Sequence, residues 1–155
     1  MKWRNLPDWF LVFLFFISFY LLIIGRSQEY SYADGSLMFN VTKSIVEDGS
    51  FKSRVPGYYR GEVYLAHSKY GLGFSIVVVP FYMITKNIGL WFVPQQIETI
   101  TRFAPMLANI FITALTCAVL YACGVRLFQS RGIAYLVTGT YGFATLALPY
   151  SRYDF

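Results

Sequence analysis

Charge is what this 155-residue sequence has least of: Asp, Glu, Lys and Arg together make up 14% of it. A soluble domain carries nearer a quarter, so the scarcity argues against an ordinary soluble fold. The 56% share of hydrophobic residues excludes a disordered chain as well. Histidine occurs once, as His67, with no second His, Cys or carboxylate at ligand spacing, so a metal centre is not indicated. The two cysteines, Cys117 and Cys123, lie six apart in one apolar stretch, on different faces of a helix and outside any CxxC pattern. Neither a local disulfide nor a redox motif follows from them. No internal repeat and no low-complexity tract is present. Lys and Arg outnumber Asp and Glu by 13 to 8, but the basic residues are scattered through hydrophobic sequence without forming a patch. Nucleic acid is therefore not the expected partner.

What remains is apolar and aromatic, with a mean hydropathy of +0.48. Trp9 to Gly25 is uncharged, follows Lys2 and Arg4, and exits through Gly25-Arg26-Ser27-Gln28 without a small-x-small cleavage site. It reads as an uncleaved first span with a cytoplasmic N-terminus. Phe103 to Val125 carries no charge and Gly132 to Leu148 follows it. Between them Arg126-Leu127-Phe128-Gln129-Ser130-Arg131 holds two arginines and no acid. The positive-inside rule puts that connection in the cytoplasm. The expected arrangement is thus spans at 9–25, 103–125 and 132–148, with residues 26–102 forming one long loop on the outer, periplasmic or lumenal, side. Gly71 to Thr85 is apolar but short, contains Pro80 and ends at Lys86, so a re-entrant or interfacial segment is expected there. The fold class is an all-α integral membrane protein.

Within the loop, Gly35 to Asp48 places Leu37, Met38, Val41 and Ile45 on one helical face, with Ser36, Asn40, Lys43 and Glu47 largely elsewhere. This predicts an amphipathic helix along the membrane surface, stopped by Gly49. Residues 50–66, with Pro56, Gly57 and Gly61, read as turn-rich and irregular. Asn40-Val41-Thr42 fits the glycosylation sequon, a pattern common by chance.

Asp34 stands at the start of the surface helix, near the outer membrane face. A carboxylate there can accept a proton from an attacking hydroxyl, and it can equally serve as an N-cap, the more frequent role of Asp at such a position. Lys69, in His67-Ser68-Lys69-Tyr70-Gly71-Leu72-Gly73, sits where a lysine either meets a phosphate or snorkels to the interface. Arg102 and Arg152 flank the second and third spans on the same outer side, suited to a lipid phosphate or to anchoring helix ends. Asn109, Thr113 and Thr116 share one face of the second span and are assigned to helix packing.

Taken in order, these pieces resemble the N-terminal part of the GT-C class of polytopic glycosyltransferases that use polyprenyl-phosphate sugars, including protein mannosyltransferases and aminoarabinose transferases. The matching elements are Tyr32-Ala33-Asp34, Val46-Glu47-Asp48-Gly49, Ser68-Lys69-Tyr70-Gly71-Leu72-Gly73, Val79-Pro80, Arg102, Arg126 to Arg131, and Pro149-Tyr150-Ser151-Arg152. The resemblance implies that Asp34 is the catalytic base and Lys69 the donor-phosphate ligand, with Arg102 and Arg152 as further substrate-binding residues. Asp154 is the candidate for a second acidic residue. It also implies a lipid-linked sugar donor and membrane lipids as partners, and further membrane helices or subunits to complete the site, so activity of this chain alone is not expected. The alternative is a small non-catalytic subunit that stabilises a larger membrane complex. No cofactor is named by the sequence, and a transporter is disfavoured because no span contains an internal charge.

Overall fold

The computed structural model describes residues 6–23, 33–56, 63–67 and 71–150, with the backbone alone at 33–34, 53–56 and 63–66. The order is α1 (Asp8–Leu22), α2 (Ala33–Asp48), β1 (Lys52–Pro56), β2 (Val63–His67), α3 (Leu72–Phe92), a 3-10 turn (Pro94–Gln96), α4 (Ile97–Thr101), α5 (Ala104–Phe128), α6 (Arg131–Ala144) and α7 (Ala147–Tyr150). Apart from one two-stranded hairpin, the described elements are helical. Two of them, α3 and α5, are long and apolar enough to cross a membrane. The chain divides into two compact units. One contains α1, α5 from Asn109 onward, α6 and α7; the other contains α2, the hairpin, α3, α4 and the start of α5.

In the first unit, α1 is an apolar helix that buries Val12, Phe16 and Tyr20. Its register against α6 is set by a missing side chain: a Cβ on Gly142 would overlap the Phe16 ring. The hydroxyl of Tyr20 donates to the Gly142 carbonyl at 3.0 Å, and Phe143 stacks edge-on to Phe19 at 4.9 Å between centroids. Small residues also bring α5 to α6, where a Cβ on Gly124 would stand 3.1 Å from Ala134. Close backbone approach of this kind brings the helices into van der Waals contact along their length. The Thr113 and Thr116 hydroxyls bond back to the carbonyls of Asn109 and Ile112 on their own helix, at 2.7 and 2.9 Å. The polar face of α5 thus satisfies part of its hydrogen bonding internally, while Asn109 and Thr113 are buried.

In the second unit, α3 buries Ser75, Val78, Tyr82, Thr85 and Gly89, a single stripe at helical spacing. Val78 and Tyr82 form a core with Ala104 and Ala108, against which Phe39, Val46, Phe74 and Phe81 pack. A polar seam joins α2 to α3: Thr42 donates to the Ser75 carbonyl at 3.0 Å, and Ser75 donates to the Met38 carbonyl at 3.0 Å. Gly49, at φ +62°, closes α2 in the left-handed conformation that favours glycine.

Four expectations need adjustment. The apolar segment at 71–85 does not stop at Lys86 but runs as one helix of 21 residues, about 32 Å long, through Pro80 to Phe92. Lys86 is accommodated because Glu47 neutralises it at 2.8 Å. Lys52–Pro56 and Val63–His67 pair as antiparallel strands, Lys52 opposite His67 and Pro56 opposite Val63, where an irregular passage is expected; Gly57 and Gly61 lie outside the described residues. The third stretch, 132–148, is not one helix. α6 ends at Ala144 after 14 residues, Thr145 is extended, and α7 begins at Ala147. Finally, the surface helix buries Val41, Thr42 and Ser44, whereas Leu37, Met38 and Ile45 are half-buried, so its inward face is more polar than the apolar pattern suggests.

Candidate functional site

One residue that the sequence singles out, Arg102, lies in the second unit beside the flank of α2. A cleft of about 250 Å³ is lined by Ser36, Phe39, Asn40 and Lys43 from α2 and by Glu98, Thr101 and Arg102 from α4 and its end. A smaller hollow, sharing Asn40 and Lys43, continues along α2 past Ser44 to Glu47 and Asp48. The local sequence explains the arrangement. Thr42 is turned inward by the seam to α3, and the next residue, Lys43, is left exposed on the open side. Gly89 lets α4 approach α3, with Ile97 3.2 Å from where its Cβ would be, and this brings Glu98 and Arg102 to the cleft wall.

Two cations, Lys43 and Arg102, face one carboxylate, Glu98, around this cleft. Arg102 donates to Glu98 Oε1 at 2.9 Å, one helical turn away. That hydrogen bond, then the charges of Arg102 and Lys43, hold the Glu98 carboxyl below its usual value. Glu47 is subject to opposing effects: burial raises its carboxyl, but hydrogen bonds from Lys86 and Tyr82, with the charges of Lys86 and Lys43, lower it overall. Both acids are therefore anionic at neutral pH; Lys43 and Arg102 face Glu98 in the cleft, and the adjoining hollow sets Glu47 and Asp48 beside the same Lys43. An arginine guanidinium and an exposed lysine lining one cleft are groups suited to a phosphate.

Of the residues expected to act, Arg102 is at the cleft. Asp34 belongs to the first turn of α2, inside the helix that begins at Ala33, where the helix dipole favours a carboxylate. Its side chain lies outside the described residues, as do Lys69, Arg152 and Asp154. His67 is the exposed last residue of β2. Thr42 of the Asn40-Val41-Thr42 sequon is fully buried with its hydroxyl engaged, a poor geometry for modification. Lys43 and Glu98 were not anticipated as site residues. The four-residue spacing of Glu98 and Arg102 was a readable signal for their pairing; nothing in the sequence linked Lys43 to them. Comparison with known protein families, characterised proteins and solved structures finds no match for this chain.

Proposed function

We propose that this chain is the N-terminal membrane module of a glycosyltransferase that uses a polyprenyl-phosphate-linked sugar. The observation that carries the reading is the cleft itself: Arg102 shares it with Lys43 and with Ser36, Phe39 and Asn40, which follow Asp34 along α2. The donor phosphate rests against the Arg102 guanidinium and the Lys43 ammonium, with Lys69 as a further ligand. These charges stabilise the phosphate as it leaves the sugar, while Asp34 takes the proton from the acceptor hydroxyl.

In this reading α1, α5 and α6 cross the membrane, and residues 26–102 lie on the outer side. The placement of α3 is supported by what covers it. From Ser75 to Lys86 it packs on α2, which carries the exposed Lys43, Glu47 and Asp48. Driving α3 through the bilayer would carry those charges into hydrocarbon, at a cost of several kcal/mol by the usual insertion scales. Lying at the interface, the pair buries the exposed Ile76, Met83, Ile84 and Trp91 of α3 in lipid and keeps the charges in water. A non-catalytic role is the second reading. It is favoured by the exposed apolar side chains Leu136 and Leu146, which suit packing against helices of a larger complex.

Chain-dependent sugar transfer in membranes tests the enzyme reading. With a polyprenyl-phosphate sugar as donor, transfer is expected in membranes that contain the chain and its assembly. It is expected to vanish in Asp34→Asn, a change of nearly the same shape within the first turn of α2 that leaves folding and insertion intact. Full transfer by the Asn variant contradicts Asp34 as the base, and absence of any chain-dependent transfer favours the subunit.

A further inference from the structure

At the opposite chemical extreme from the helix interiors of the first unit, three helix ends come together: the start of α1, the end of α5 and the start of α6. They enclose a cleft of about 260 Å³ lined by Asp8, Trp9, Tyr121, Ala122, Val125, Arg126 and Arg131. Asp8 is already committed. Its Oδ2 receives Arg131 Nη1 at 3.2 Å and the Tyr121 hydroxyl at 3.3 Å. Arg126 has no carboxylate within ion-pair distance among the described residues. The cleft therefore holds two guanidinium groups against one carboxylate, and one of them, Arg126, is uncompensated.

We infer that this cleft binds the phosphate of an anionic membrane phospholipid, with Arg126 as the principal ligand. Two further features point to a lipid and away from a soluble anion. Apolar helices ending together put their termini at headgroup depth, and here those termini carry the exposed Trp9, Leu127 and Phe128, side chains that sit at or just below the headgroups. The cleft is also lined by Ala122 and Val125, apolar side chains suited to the glycerol and first methylenes of a lipid and not to a hydrated ion. The N-terminus of α6 adds its partial positive charge beside Arg131. The C-terminus of α5 opposes it, and Arg126 in the last turn offsets that end. The shared chemistry is a phosphate oxygen. The excess charge selects phosphatidylglycerol over phosphatidylcholine, whose own choline cation would be left against Arg126. This inference does not depend on the sugar-transfer reading, because it concerns a separate unit and different residues.

Native mass spectrometry of the full chain, released from micelles with equal amounts of phosphatidylglycerol and phosphatidylcholine, reads the preference directly. Loss of a charge-assisted phosphate contact is worth about tenfold in affinity. A phosphatidylglycerol preference of that order is expected in the wild type, falling to near parity in Arg126→Gln, partly retained in Arg126→Lys and unchanged in Lys52→Gln, a control on the exposed hairpin. Equal binding of the two lipids by the wild type would overturn the inference, as would an unaltered preference in Arg126→Gln. Inorganic phosphate that displaces the lipid at the lipid's own concentration would assign the cleft to free phosphate and likewise overturn it.

Discussion

The ammonium of Lys86 lies 2.8 Å from Oε1 of Glu47, joining the middle of α3 to the end of α2. The same oxygen accepts the Tyr82 hydroxyl at 2.8 Å, so one carboxylate holds two donors one turn apart on α3. This contact explains how a lysine can stand inside an apolar helix without ending it. It also ties the surface helix, and with it the polar cleft, to a fixed position on α3.

Removing one member leaves the other without its ionic partner, whereas removing both does not. Glu47→Gln and Lys86→Met are each expected to lower thermal stability in detergent, and the double variant to lose less than the sum. The coupling should be about 1 kcal/mol for a partly exposed, charge-assisted contact. Strict additivity would show that the pair contributes nothing.

The pH dependence has a definite sign. The Glu47 carboxyl is lowered on folding, so its contribution to stability is fully present above the ordinary carboxylate range and is lost as pH falls through the lowered folded value. Melting temperature should be level near neutrality and decline on acidification. In Glu47→Gln that decline should be smaller, and an identical acid profile in both proteins would contradict the assignment.

Two glycines of α6 should behave oppositely. Gly142→Ala meets the Phe16 ring, whereas Gly139→Ala enters open space. Overpacking at Gly142 is expected to cost about 1–3 kcal/mol, and Gly139→Ala to be neutral or stabilising through helix propensity. Thermal unfolding of the two variants checks the α1 against α6 register.

How much of this was legible in the sequence follows from which interactions are local. α5 and the surface helix could be read because their patterns are continuous: an uncharged run from Phe103 and an amphipathic run closed by Gly49. The true length of α3 could not, because Lys86 signals an end unless one knows that Glu47, 39 positions away, neutralises it. The break at Thr145 was hidden for a similar reason. Thr145 continues the apolar run in composition, but its hydroxyl accepts the Ala147 amide and donates to the Tyr141 carbonyl, which ends α6 locally. At the candidate site, Arg102 was recognisable as a cation flanking a span. Its partnership with Lys43 needed the fold, since Gly89 and Ile97 bring α4 inward.

The membrane arrangement predicts a labelling pattern. In a background without Cys117 and Cys123, a cysteine at Gln95 should react with an impermeant reagent applied from the outer side, and one at Gln129 only after the membrane is opened. Reaction of Gln129→Cys from outside would show instead that α3 crosses.

The central claim is that the second unit recognises a lipid-linked phosphate, and the most direct measurement is equilibrium binding of a polyprenyl-phosphate sugar, against the matching polyprenol, to the purified chain. Binding that requires the phosphate and weakens about tenfold in Arg102→Gln and in Lys69→Gln is the expected result. Equal binding of donor and polyprenol, or binding indifferent to both substitutions, would contradict it.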